Sequence, residues 1–171
     1  MNLESYIRDI PDFPKPGIAF KDITPLLASS EGFHAAIDML AAPYDDAGVT
    51  LVLGAEARGF ILGGALAYRL GAGFIPARKP GKLPFSTTSA EYALEYGTDQ
   101  LEMHTDAIGE KDRVLIVDDV LARGGTAAAK ADLVSRSGAS VVGFAFLMEL
   151  DFLGGREKLG DHEIVSLMHV E

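Results

Sequence analysis

The 171 residues include no cysteine, which excludes disulfides, thiolate metal sites and cysteine nucleophiles. No apolar run approaches the roughly 20 residues a membrane helix needs. The opening "MNLESYIRDI" also lacks the apolar core of a secretion signal. A cytoplasmic protein with no membrane partner is the expectation. Positive charge is scarce too: 15 Lys and Arg stand against 25 Asp and Glu, a formal net charge of -10. Such a chain repels polyanions in bulk, so no nucleic-acid partner is expected. The cations are unevenly spread, however, with Arg78, Lys79 and Lys82 close together. A small phosphorylated ligand is therefore compatible with the charge. Repeats, low-complexity tracts and linkers are absent as well, and the length suits a single domain, 1–171, with a full core.

Within that frame, apolar residues make up 48% and charged residues 23%, ordinary for a globular chain. The glycines fall between apolar runs, as strand-to-helix turns require. "TLVLG" (50–54), "GFIPARK" (73–79), "RVLIVDD" (113–119), "SVVGFAFLMEL" (140–150) and "EIVSLMHV" (163–170) have the character of strands. "GFILGGALAYRLG" (59–71), ending on Gly71, and residues 125–137 have helical length and spacing. This alternation predicts an α/β fold: a parallel twisted sheet flanked by helices on both faces. Two segments stand outside it. Residues 10–27, with Pro11, Pro14, Pro16 and Pro25, are expected to be irregular, and residues 80–105 predict a long loop running into a β-hairpin.

Chemistry concentrates in "VLIVDDVLARGGT", Val114–Thr126. The strand is apolar on both faces and places Asp118 and Asp119 at the sheet's carboxyl edge, where ligands of such sheets bind. Ala122, Arg123, Gly124, Gly125 and Thr126 then form a small-residue loop. Gly124 and Gly125 let backbone N–H groups approach an anion, and the next helix brings its positive end. Carboxylates and a phosphate cradle suit opposite ends of one ribose, the acids accepting from the cis-diol and the loop holding a 5′-phosphate. No lysine follows the glycines in the GK[ST] form of a Walker loop.

This stretch resembles the phosphoribosyl-pyrophosphate signature of type I phosphoribosyltransferases. "PDFPKPGIAFKDITPLL" (11–27), "GAEARGF" (54–60), "RKPGKLP" (78–84), "EYALEYG" (91–97) and "GREKL" (155–159) are similar, in the same order, to the adenine-specific branch of that family. The resemblance implies a Rossmann-like sheet, an N-terminal hood over residues 1–30 and a flexible flap over 80–105. It implies purine salvage: adenine and 5-phosphoribosyl-1-pyrophosphate give AMP and pyrophosphate in a homodimer, with Mg²⁺ held mainly through substrate and water. Ala19, Phe20 and Lys21 would bind adenine, Phe20 by stacking and Ala19 through its backbone. Glu56, Ala57, Arg58, Arg78, Lys79 and Lys82 would meet the pyrophosphate. Asp118, Asp119 and Ala122 to Thr126 would hold the ribose and its 5′-phosphate. Glu95 and Tyr96 resemble the acid and aromatic of a mobile catalytic loop, Glu95 moving the purine proton and Arg58 stabilising charge. Ala122 stands where hypoxanthine and guanine enzymes commonly carry an aspartate. Lys21 replaces a common arginine, "PFSTTS" after Lys82 departs from the usual continuation, and Arg123 stands where threonine is usual. Glu102 and His104 are expected to be solvent-facing strand residues. Another 6-substituted purine as substrate is an alternative, as is a non-catalytic phosphoribosyl-pyrophosphate sensor, which would need an added domain or a basic face.

Overall fold

The proline-rich start is more ordered than its composition predicts. In the computed structural model, which describes all of Met1–Glu171, β1 (Arg8–Ile10) and β2 (Phe20–Asp22) pair antiparallel, with Ile10 opposite Phe20. Pro11, Pro14 and Pro16 all fall in the connecting loop, where no ladder donor is needed, and this corrects the expectation of a wholly irregular segment. Helix α1 (Thr24–Ala28) carries Pro25 in its first turn, and α2 (Ser30–Ala41) is capped by Ser29, whose hydroxyl accepts from the Gly32 N–H at 3.1 Å.

The alternating elements follow: β3 (Leu51–Ala55), α3 (Arg58–Leu70), β4 (Gly73–Ala77), β5 (Thr87–Ala93), β6 (Thr98–His104), β7 (Arg113–Leu121), α4 (Gly125–Arg136), β8 (Ser140–Leu150) and β9 (Ile164–Val170). Five strands form one parallel sheet in the order β4-β3-β7-β8-β9. Side-chain alternation along its strands builds two cores. Leu115 and Val117 of β7, with Ala145 and Leu147 of β8, pack beneath α1, α2 and α3. Val114, Ile116, Phe144 and Phe146 face the other way, toward α4 and the β5–β6 hairpin. A strand buried on both faces has to be apolar throughout, which is why "VLIV" and "FAFL" carry no polar residue.

The predicted hairpin is antiparallel, from Thr87 opposite His104 to Ala93 opposite Thr98, and the Leu94 N–H closes its turn on the Gly97 carbonyl at 2.9 Å. Ala90, Leu101 and Met103 anchor its base in the α4-side core, whereas Tyr96 at the tip is 87% exposed. Strand β7 runs two residues further than predicted, so Asp118 and Asp119 lie inside the strand instead of at its end.

Candidate active site

The loop after β7 is shaped by a backbone crossing. Gly124 is left-handed at φ 78° and caps α4, and a Cβ there would overlap the Gly155 carbonyl oxygen. A Cβ on Gly155 would in turn overlap the Ala122 carbonyl. The "GREKL" segment is thus the platform on which residues 122–124 rest. It is pinned by Arg156, whose Nε and Nη2 donate to Glu149 at 2.7 and 2.8 Å, while the Ser166 hydroxyl donates to the same carboxylate at 2.7 Å. Above the loop is a cavity of about 280 Å³ lined by Ala122 to Thr126, Asp118, Phe146 and residues 92–95 of the hairpin.

The two aspartates take different roles because consecutive side chains leave opposite faces of the sheet. Asp118 lines the cavity. Its Oδ2 accepts from Lys130 Nζ at 2.6 Å, and Lys130, wholly buried on α4, also donates to the Val117 carbonyl at 3.1 Å. Asp119 is buried toward α3, with Oδ2 2.6 Å from Arg58 Nε. That contact is ionic only, since no donor is aligned on Oδ2. Burial, reinforced by the neighbouring Asp118 charge, pushes the Asp119 carboxyl up to about 6 against the pull of Arg58. The two acids therefore do not share one face: Asp118 lines the cavity, and Asp119 lies against Arg58.

The predicted pyrophosphate cations gather at the carboxyl ends of β3 and β4, each already matched to a carboxylate. A cis peptide joins Glu56 to Ala57, which caps α3. Glu56 accepts from Lys82 Nζ at 2.6 Å and from the Lys79 N–H at 2.8 Å, and Arg78 Nε lies 3.5 Å away. The Lys82 hydrogen bond, aided by the Lys79 N–H, holds the Glu56 carboxyl down to about 2 although burial opposes it. Lys79 Nζ pairs with Asp99 and donates to the Tyr92 hydroxyl at 2.9 Å. A strongly acidic chain leaves few cations unclaimed, and here the hairpin supplies part of the counter-charge.

Beside Arg58 lies a second cavity of about 220 Å³, lined by Ile18, Ala19, Phe20, Lys21, Val120, Met148 and Leu150. The Arg58 guanidinium carbon is 5.3 Å from the Phe20 ring centroid, and Phe13 meets the same ring edge-on at 5.2 Å. Lys21 lines this cavity, but its ammonium pairs with Asp9 at 2.6 Å. Val120 lines both this cavity and the one over the loop after β7.

At the hairpin tip Glu95 and Tyr96 are exposed, and Glu95 Oε2 is 3.6 Å from Arg123 Nη2. Glu102 and His104 are not idle solvent-facing residues. Glu102 accepts from the Gly81 N–H at 3.2 Å and His104 Nε2 from the Phe85 N–H at 3.3 Å, tying the 80–86 loop to β6. Four participants went unpredicted: Lys130, Glu149, Tyr92 and Asp99. Lys130 had a visible signal, a lone cation in the alanine-rich "GTAAAKADLV" on a helix that must cover a sheet. The others acquire partners only by folding.

Comparison with known proteins identifies the family. Residues 24–166 match the family model described as the phosphoribosyl transferase domain. The chain is 58% identical over 170 residues to the adenine phosphoribosyltransferase of Solibacter usitatus, covering 99% of this chain and 98% of that one. It superposes with a TM-score of 0.94 on the adenine phosphoribosyltransferase of Rhodothermus marinus, at 53% identity over 98% of this chain and 96% of the other. The Saccharomyces cerevisiae adenine phosphoribosyltransferase, complexed with an imino-altritol bisphosphate and adenine, superposes at 0.91 with 40% identity over 96% of each chain. With its fold and nearly its whole length held in common with these relatives, the chain belongs to the adenine phosphoribosyltransferase family.

Proposed function

We infer that this chain transfers the 5-phosphoribosyl group of 5-phosphoribosyl-1-pyrophosphate to adenine, releasing pyrophosphate and leaving AMP for purine salvage. The observation that carries the reading is the shared wall. The phosphate cradle and the apolar pocket meet at Val120, with Asp118 and Asp119 immediately before it on β7. Phosphate, ribose and base of one nucleotide occupy that run in order. Gly124 and Gly125 present backbone N–H groups to the 5′-phosphate, Thr126 adds its hydroxyl and Arg123 its guanidinium. Asp118 accepts from a ribose hydroxyl while Lys130 holds it in place, and Asp119 is the second acceptor, next to Arg58. Phe20 stacks on adenine, and the backbone at Ala19 reads its edge.

As the C1′–oxygen bond breaks, the ribose gains cationic character and pyrophosphate gains charge. Arg58, Arg78, Lys79 and Lys82 surround the departing group, exchanging Glu56 and Asp99 for phosphate oxygens. Glu95 takes the proton from adenine N9 as the bond to C1′ forms, and the hairpin with Tyr96 shields the site from water. The donor set suits a Mg²⁺ ion that arrives with the substrate. Asp118 and Asp119 are each engaged by a cation, so in this reading the ion is held mainly through the substrate and water. When bound, Mg²⁺ neutralises charge on the pyrophosphate oxygens. A homodimer belongs to the same reading: α3 leaves Ile61 and Tyr68 exposed on one face, beside the helix α2 groove around Phe33 and Ile37. We place the enzyme in the cytoplasm. No helix is long and apolar enough to cross a membrane.

Steady-state AMP formation with adenine, hypoxanthine and guanine in parallel, with Mg²⁺, tests the reading. Adenine-selective turnover is expected. Absence of turnover with every base, with phosphoribosyl pyrophosphate still bound, would favour a sensor.

A further inference from the structure

Arg123 and Glu95 meet across the mouth of the phosphate cavity, Nη2 to Oε2 at 3.6 Å, with 57% and 64% of their side chains exposed. One belongs to the phosphate loop and the other to the hairpin tip, and both line the cavity itself. Arg123 is the only cationic side chain in that lining, while Asp118, the other acid there, is held by Lys130. Around the site Arg58, Lys79 and Lys82 are committed to Asp119, Asp99 and Glu56. A phosphate group entering the cradle therefore finds one guanidinium, already in contact with a carboxylate. Phosphate offers a bidentate, doubly charged partner, stronger than a single exposed carboxylate contact at 3.6 Å.

We propose that Arg123 is a positioning residue that holds Glu95 aside until the cradle is filled: Glu95 and the substrate's 5′-phosphate compete for one guanidinium, and phosphate binding releases the flap carboxylate for its proton. This rests on the reading of residues 122–126 as a 5′-phosphate site. The hairpin supplies the mechanics, since its base is packed in the core while Leu94 and Tyr96 at the tip are exposed, so a weak contact is enough to bias the tip. Threonine at this position would still bond a phosphate but could not reach a carboxylate as a cation, so the interlock is a property of the arginine.

The test is a double-mutant cycle on AMP affinity, measured by isothermal titration calorimetry for the wild-type chain, E95Q, R123T and E95Q/R123T. Both side chains are exposed, so all four proteins are expected to fold, which circular dichroism verifies. E95Q should tighten AMP binding by about 1.5- to 5-fold, the range of an exposed ion pair. R123T should weaken it, and the gain from E95Q should shrink toward none in the R123T background. Added salt should reduce the gain as well. An equal effect of E95Q in both backgrounds would overturn the interlock. So would a loss of affinity from E95Q seen only with Arg123 present, which would mean a clasp gripping phosphate and flap together. No AMP binding by any of the four would remove the underlying nucleotide reading and the interlock with it, whereas wild-type binding without coupling removes the interlock alone.

Discussion

Replacing Lys130 by methionine removes a wholly buried ammonium while leaving its volume filled. In the wild-type chain that ammonium donates to Asp118 Oδ2 at 2.6 Å and to the Val117 carbonyl at 3.1 Å. Removing one partner of a buried pair costs about 3–5 kcal/mol, most of it the penalty of the charge left behind. Asp118 is 17% exposed and still accepts from the Asp119 N–H at 3.0 Å, so water and backbone relieve part of that penalty. A loss of about 2–3 kcal/mol is expected, which for a chain of this size lowers Tm by roughly 4–12 °C. Thermal unfolding followed by circular dichroism at neutral pH reads the shift. The double variant K130M/D118N removes the stranded charge and should recover about 1–2 kcal/mol. Equal Tm values for K130M and K130M/D118N would refute the stranded-charge account and leave only packing. An unchanged Tm in K130M would show that the pair contributes nothing net.

Three further outcomes are expected. Glu95→Gln should lower turnover by roughly 10²–10⁴-fold, the usual contribution of a positioned proton-transfer group, without weakening AMP binding; wild-type turnover would remove Glu95 from the chemistry. Glu56, held at about 2 against an ordinary 4.5, contributes stability present above pH 4.5 and lost as pH falls from there toward 2. E56Q should therefore be less stable than wild type by about 1–2 kcal/mol at pH 7, a value tempered by the exposure of Lys82, with the gap closing near pH 2. Urea midpoints at both pH values measure it, and a pH-independent gap would contradict the ionic origin. Gly155→Ala drives a Cβ into the Ala122 carbonyl and shifts the 122–126 loop. AMP formation should fall by roughly 100-fold with a stability loss of about 1–3 kcal/mol, and unaltered activity would show that the crossing is not tight.

What the sequence by itself determined is what short-range physics encodes. Side-chain alternation requires "VLIV" and "FAFL" to be apolar on both faces, and glycine at 124 suits the left-handed turn found there at φ 78°, at the start of α4. A left-handed turn demands a residue such as Gly71, found at φ 67°. The proline cluster was legible as a break but not as the loop of a strand pair, because Phe20 to Asp22 lies beyond it and pairs backward to Arg8 to Ile10. Only the tertiary structure decided who neutralises whom. Asp118 and Asp119 are neighbours in the chain, yet one faces Lys130 on α4 and the other Arg58 on α3, on opposite faces of the sheet. Gly155 is silent in sequence until the chain returns to lie against Ala122 and Gly124. Arg123 appears as a lone oddity until the hairpin brings Glu95 within 3.6 Å. Local pattern depends on neighbours along the backbone, which the sequence contains. Charge pairing depends on distances through space between residues tens of positions apart, and those exist only once the sheet has ordered its strands.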